Sequence, residues 1–336
     1  MNSTEEEVSY VPRAHVQFLE QAGIRVVPIS YLDSAETIEN ILDQVNGVYM
    51  PGDSQKSVAN RKYQKTFSFV MKYVAKHNRE YSDYFPMFLM GKSSQVFVQL
   101  LSVMKNRLHD MKNHQNQNLQ INLLHEHEDT FLFHQLQNDS SVSHAFDLGD
   151  FFNKQNSGFR LKDIAQDERL RKMIQPLATF EGSAMLDAPI SLVEGAEERR
   201  KANYKKEEEF VAIAEGTDLP LYIFTYNPEM TQFVHTEVEQ RLEQDEVIDK
   251  SVAARHHVQF IAHQIADEGR LNEHKFRKES GPIHKHLIRN HEVVEVELPV
   301  EDMGDHHNLY PLPRGLEKHD VYIIKQKSRS QQAQAE

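Results

Sequence analysis

The sequence predicts an α/β fold: a three-layer sandwich in which helices flank a mostly parallel central sheet. Three observations carry this. Segments with helical and strand periodicity alternate through the first third of the chain, and the connections between them are short. Apolar residues make up 39% of the 336, enough for one large core or two modest ones.

Val11–Ala22 has an apolar stripe of Val16, Phe18 and Leu19, with Gly23 placed to end a helix. Ile24–Ile29 follows as a buried strand. Ala35–Val45 reads as a second helix stopped by Asn46-Gly47. Gly47–Met50 is a strand closed by Pro51-Gly52-Asp53-Ser54. Lys62–His77 is helical, Pro86–Met90 is a strand, and Ser93–Lys105 is the helix after it.

From residue 109 to about 155 the chain is rich in His, Asn, Gln and Asp. Leu119–Leu124 and Thr130–Phe133 read as short strands in a polar insertion, expected outside the central sheet and open to solvent. Leu161–Ile174 is helical, and the charged stretch Val193–Glu209 is a solvated face. Phe210–Ala214 and Leu221–Thr225 are strands. His235–Glu246 and Val252–Asp267 are helices. Val293–Leu298 and Val321–Ile324 are late strands in a basic, His-rich tail. The expected organisation is one α/β domain over 8–276 with the insertion inside it, then a C-terminal extension over 277–336 ending in a strand.

Charge and composition narrow the function. A net charge of −13 argues against a nucleic-acid partner, which needs a basic footprint. The chain has no cysteine, which excludes disulfides, thiolate catalysis and Cys-ligated metals. The start, MNSTEEEVSY, lacks the basic and apolar regions of a secretory signal, and no apolar run is long enough to span a membrane. An intracellular protein is expected. The 19 histidines include His125-Glu-His127, His284-Lys-His286 and His306-His307, none with a strong metal-ligand spacing. No metal site and no cofactor are expected.

The segment Phe85–Phe97, FPMFLMGKSSQVF, reads as strand, tight turn and helix. Gly91-Lys92-Ser93 resembles the end of a phosphate-binding P-loop. The first glycine of that motif would fall at Pro86, and Met87–Met90 are apolar where small flexible residues are needed, so nucleotide binding is not expected. The other reading is a nucleophile elbow, with Gly91 at a sharp turn of positive φ.

Other segments favour the elbow through a resemblance. Ser9 to Pro28, containing YVPRAHVQFLEQAGIRVVP, is similar to the first helix and second strand of gamma-glutamyl hydrolases, which have a class I glutamine amidotransferase-like fold. Asn46-Gly-Val-Tyr-Met-Pro-Gly-Asp-Ser54 is similar to that family's strand and glycine loop. Tyr84-Phe-Pro86 resembles the approach to its elbow. Glu209–Gly216 and Pro220–Glu229 resemble its paired strands ending in Trp-His-Pro-Glu. In that family a strand precedes the first helix. Here about ten polar residues come before it, and they do not read as a buried strand.

The resemblance implies a degenerate site. The family's nucleophilic Cys falls on Gly91, and its catalytic His on Asn227 in Tyr226-Asn-Pro-Glu229. Glu229 is retained where a residue orients that His. Asp187 stands where a second family His precedes a Trp, and Asp53 replaces the second glycine of the loop. The expectation is a catalytically inactive gamma-glutamyl hydrolase-like protein. It would be kept as a structural or scaffold subunit of a larger assembly, with other protein subunits as its partners. Two alternatives remain at this point. One is an active gamma-glutamyl hydrolase with a non-Cys nucleophile such as Ser93 or Ser94. The other is a module that binds a glutamate-like ligand through Gly52, Asp53 and Lys92.

Overall fold

The computed structural model describes residues 9–52, 60–103, 107–111, 117–124, 132, 151–153, 155, 157–183, 207–233, 248–281, 283–299 and 316–324. The chain opens with β1 (Ser9–Pro12) and α1 (Arg13–Glu20), followed by α2 (Ala35–Leu42), β2 (Val48–Met50), α3 (Arg61–Glu80), β3 (Met87–Met90) and α4 (Lys92–Leu101). Short strands β4 (His109–Asp110), β5 (Gln117–Leu119), β6 (Asn122–Leu123), β7 (Phe151–Asn153) and β8 (Ser157–Gly158) come next. Then follow α5 (Leu161–Gln166), α6 (Glu168–Met173), β9 (Ile174–Ser183), β10 (Glu207–Gly216), β11 (Leu221–Phe224), α7 (Glu229–Phe233), α8 (Val252–Arg270), β12 (Glu292–Pro299) and β13 (Leu316–Ile324).

The principal sheet has six strands in the order β2-β3-β11-β10-β9-β6. β3 lies inside it, parallel to both β2 and β11. All four of its residues, Met87–Met90, are buried, as a strand covered on both faces requires. Each buried apolar side chain there contributes roughly 1.5–3 kcal/mol. Phe88 and Met90 enter one apolar cluster with Phe18 of α1 and Ile261 of α8. Met87 and Leu89 enter the other, with Leu42 of α2, Val70 of α3 and Phe97 of α4. Side-chain caps fix where several helices begin: Ser34 accepts from Thr37 N–H, Asn60 from Lys62 and Tyr63, and Ser251 from Ala254.

The sheet is mixed, which corrects the mostly parallel expectation. The pairings β11–β10, β10–β9 and β9–β6 are antiparallel. Only residues 217–220 join β10 to β11, and a parallel crossover needs a dozen or more. The spacing of those two strands in the sequence already excluded a crossover.

Four further expectations change. Ser9–Pro12 does form a strand, but it pairs with β13 in a separate three-stranded sheet, β1-β13-β12. Val16, Ile288, Tyr322 and Ile324 close beneath that sheet. Ile24–Ile29 belongs to no strand; the Val26 carbonyl accepts from Ile288 N–H instead. The helix expected over Leu161–Ile174 is two helices hinged at Asp167, whose carboxylate caps the second by accepting from Arg169 and Leu170. The insertion is not wholly outside the principal sheet: β6 pairs with β9, and Met111, Ile121, Leu132 and Phe151 are buried in the core. Its few apolar residues do the burying, so a low average hydrophobicity was misleading. Thr130–Phe133 apart from Leu132, and the helix expected over His235–Glu246, lie outside the described residues, as does most of Val193–Glu209. Among the described residues no helix is long and apolar enough to cross a membrane.

Candidate functional site

β3 ends at Met90, and Gly91 makes the turn into α4 with φ +56° and ψ −125°. A side chain makes that backbone costly, and glycine adopts it freely. The turn is held from several sides. Gly91 N–H donates to the Phe224 carbonyl of β11 at 2.8 Å. Ser94 donates to the Gly91 carbonyl through its N–H at 3.1 Å and its hydroxyl at 2.6 Å. The Ser93 hydroxyl lies 2.7 Å from the Met50 carbonyl and 2.9 Å from that of Met90.

The loop after β2 presses against the start of α4. Lys92 N–H donates to the Gly52 carbonyl at 2.8 Å. A Cβ on Gly52 would stand 2.1 Å from the Ser93 nitrogen, so only glycine permits this approach. Tyr63 anchors the same loop by donating to the Pro51 carbonyl at 2.9 Å.

Facing the tip is a buried row of polar side chains. Asn227 is fully buried and lies between two partners. Gln155 Nε2 donates to Asn227 Oδ1 at 2.6 Å, and Asn227 Nδ2 donates to Glu229 Oε1 at 2.8 Å. Glu229, at the start of α7 and also buried, has its other oxygen 3.7 Å from His15 Nδ1. That ring nitrogen is 2.6 Å from the Tyr49 hydroxyl. Gln155 is held by Asn153, which accepts from Gln155 N–H and donates to its carbonyl, both at 3.1 Å. Behind Asn227, the Tyr226 hydroxyl lies 2.5 Å from His257 Nε2. Burial lowers the His257 pKa to about 3 and raises that of Tyr226, so both groups are neutral near pH 7.

The space above Gly91 is therefore lined by one carbonyl and two carboxamides. A Cβ built there would lie 2.7 Å from Gly52 O, 2.9 Å from Gln155 Nε2 and 3.2 Å from Asn227 Nδ2.

The structure brings Gly52, Gly91, Asn227 and Glu229 together at the carboxyl ends of β2, β3 and β11. Lys92 joins them through its backbone, and its side chain is only 1% exposed. Asp53 and Asp187 lie outside the described residues, as do His125, His127, His306 and His307. Gln155, His15 and Tyr49 were not singled out from the sequence. Tyr49 sits inside the strand-and-loop motif and His15 on the buried face of α1, so each had a local signal. Gln155 had none, because nothing in a polar stretch marks an amide that turns inward.

No protein-family model matches the chain. Among curated proteins, gamma-glutamyl hydrolase B of Dictyostelium discoideum is 24% identical over 291 residues, covering 84% of this chain and 72% of that protein. A gamma-glutamyl hydrolase of Glycine max is 30% identical over 95 residues, 28% of this chain and 27% of that protein. That of Rattus norvegicus is 23% identical over 225 residues, 67% of this chain and 62% of that protein. The chain thus spans less than two thirds of the soybean and rat proteins. A solved structure from Thermoplasma acidophilum, described as a GMP synthase component, matches with a TM-score of 0.40 at 11% identity, over 76% of this chain and 90% of that one. The chain is a homologue of proteins named gamma-glutamyl hydrolase.

Proposed function

We propose that the chain is a catalytically inactive gamma-glutamyl hydrolase-like protein that serves as a structural subunit of a larger intracellular assembly. It is built on a three-layer, class I glutamine amidotransferase-like fold, with the domain over 8–276 and the extension over 277–336. The observation that carries this reading is the filled elbow. Hydrolysis of an amide by the route of its relatives needs a nucleophile, a general base and hydrogen-bond donors aimed at the oxyanion. Gly91 has no side chain, and the carboxamide of Asn227 takes no proton near neutral pH. The amide after the tip, Lys92 N–H, is where an elbow supplies an oxyanion donor, and here it is spent on Gly52 O. Gln155 and Asn227 stand where a nucleophile's side chain would extend.

Substitution by a neighbouring serine finds no support. Both hydroxyls are directed to backbone carbonyls, Ser93 to Met50 and Met90 and Ser94 to Gly91, and none of these is a base. A ligand pocket built on Lys92 finds none either, since that side chain is buried. The acidic balance of −13 favours protein partners over nucleic acid. The assembly is tested by how the endogenous protein migrates in native extract. The proposal expects a species several times the 39.1 kDa chain. Migration as a free monomer contradicts the subunit role.

A further inference from the structure

At the opposite end of β3 from the elbow, three side chains from distant parts of the sequence converge. His77 lies in the last turn of α3, Asp83 on the loop entering β3, and His274 on the segment after α8. His77 Nδ1 is 2.8 Å from Asp83 Oδ2, and His274 Nε2 is 2.7 Å from the same oxygen. The three ligand atoms all lie within 4.8 Å of one another.

The surroundings determine which atoms carry hydrogen. His274 Nδ1 lies 3.1 Å from the carbonyl oxygens of both Leu42 and Val45. Carbonyls only accept, so Nδ1 holds a hydrogen. In the neutral ring this leaves the lone pair on Nε2, aimed at a carboxylate oxygen. Two acceptors at 2.7 Å repel unless a cation lies between them. That cation is either a second ring proton or a metal ion.

The arrangement has the features of a metal site. A ligating histidine commonly donates its other ring N–H to a backbone carbonyl, as His274 does. The carboxylate is oriented in turn, because Asn272 Nδ2 donates to Asp83 Oδ1 at 3.1 Å. Ser82, just before Asp83, is held at φ +53°, the one non-glycine residue with positive φ among those described. Such strain collects where a neighbouring group must be aimed. His77, Asp83 and His274 are 16%, 22% and 17% exposed, which leaves a path for an ion and room for water to complete its coordination.

We propose that His77 Nδ1, Asp83 Oδ2 and His274 Nε2 form a three-ligand site for a divalent transition-metal ion of the zinc class. Two imidazoles and one carboxylate suit that class. Tetrahedral ligands at about 2.0–2.1 Å stand roughly 3.3 Å apart, so each histidine nitrogen moves about half an ångström further from Asp83 Oδ2 to seat the ion. The ion would tie the chain after α8 to the end of α3 and to the loop entering β3. This is a structural role independent of the elbow and of the function proposed above.

The test is calorimetric titration of the full chain, freed of metal by chelation, with Zn²⁺ alone at neutral pH. Thermal unfolding is followed in parallel. The wild type is expected to bind one equivalent at this site and to unfold several degrees higher with it. His274→Gln and, separately, His77→Gln each lose that equivalent or weaken it at least tenfold, and lose the thermal shift. Other histidines that bind zinc do so equally in all three proteins. Absence of saturable binding to the wild type at sub-millimolar zinc overturns the proposal and assigns the place to a proton. Unchanged stoichiometry and affinity in both variants also overturn it. If one variant fails to fold, the wild-type titration and the other variant still decide.

Discussion

Replacing Gly91 with alanine tests the account of the elbow with a single methyl group. Two costs add. The backbone, at φ +56° and ψ −125°, is a conformation that costs an L-residue roughly 1–3 kcal/mol. The methyl carbon would also arrive 2.7 Å from Gly52 O and 2.9 Å from Gln155 Nε2. The first neighbour is backbone, and moving it weakens the bond it accepts from Lys92 N–H. The second is a side chain, and moving it breaks its bond to Asn227. Each buried bond lost costs about 1–3 kcal/mol. With both bonds lost the total is about 3–9 kcal/mol. Gly23 supplies the control, since its φ is +80° and nothing lies within 4 Å of a Cβ built on it. Gly23→Ala meets the backbone cost alone, roughly 1–2 kcal/mol. Urea unfolding of both variants gives the comparison, with the m-value checked for constancy. Gly91→Ala should be the less stable by about 2 kcal/mol or more. Adding Gln155→Ala should lessen the penalty at residue 91, because one of the two clashes is gone. If Gly91→Ala proves no worse than Gly23→Ala, the space above the tip is open and the filled elbow is wrong.

Two more predictions concern buried charge. Asp163 is 1% exposed and accepts from Arg107 at 2.8 Å and Arg160 at 2.9 Å, with His109 Nε2 at 2.8 Å. Burial raises its pKa, but the bonds from His109 and Arg160 outweigh that and hold the carboxyl well below its usual range. Its stabilisation is complete above the unfolded pKa near 4 and is lost as pH falls below it; at neutral pH Asp163→Asn should cost about 3–5 kcal/mol by taking the carboxylate from the part-buried Arg107, whereas Arg160 keeps Glu208 at 3.2 Å. An unfolding midpoint unchanged by that substitution contradicts the ion-pair reading. His257 behaves differently, because burial holds it neutral down to about pH 3 while the unfolded chain takes up a proton near 6.5. Stability should therefore decline as pH falls from about 6.5 towards 3, by on the order of 4 kcal/mol. His257→Gln should flatten that part of the profile, and equal slopes in both proteins contradict the assignment.

Much of this was legible before any coordinates. The four apolar residues of β3 and the Gly91-Lys92 break after them mark a strand ending in a turn, because periodicity and glycine act locally. The loop glycine and the Tyr226–Glu229 segment are legible for the same reason. What the sequence obscured depends on pairing between distant segments. Ser9–Pro12 looks like a polar leader until β13, more than three hundred residues away, supplies its partner. Gln155 becomes part of the site only through its bond to Asn227, 72 residues further along the chain. His77, Asp83 and His274 show no ligand spacing, since the third arrives from a separate part of the chain. The antiparallel turn from β10 to β11 was readable, because the four residues between them leave no room for a crossover helix.

We propose that the architecture of a hydrolytic site persists here without its chemistry. The most direct measurement is release of glutamate from a poly-γ-glutamyl substrate by the purified protein across a broad pH range. The account predicts no release above the uncatalysed background, and none from Gly91→Cys either, because Asn227 still provides no base and Lys92 N–H remains bonded to Gly52 O. Turnover by the wild-type chain that Ser93→Ala or Asn227→Ala abolishes would contradict it.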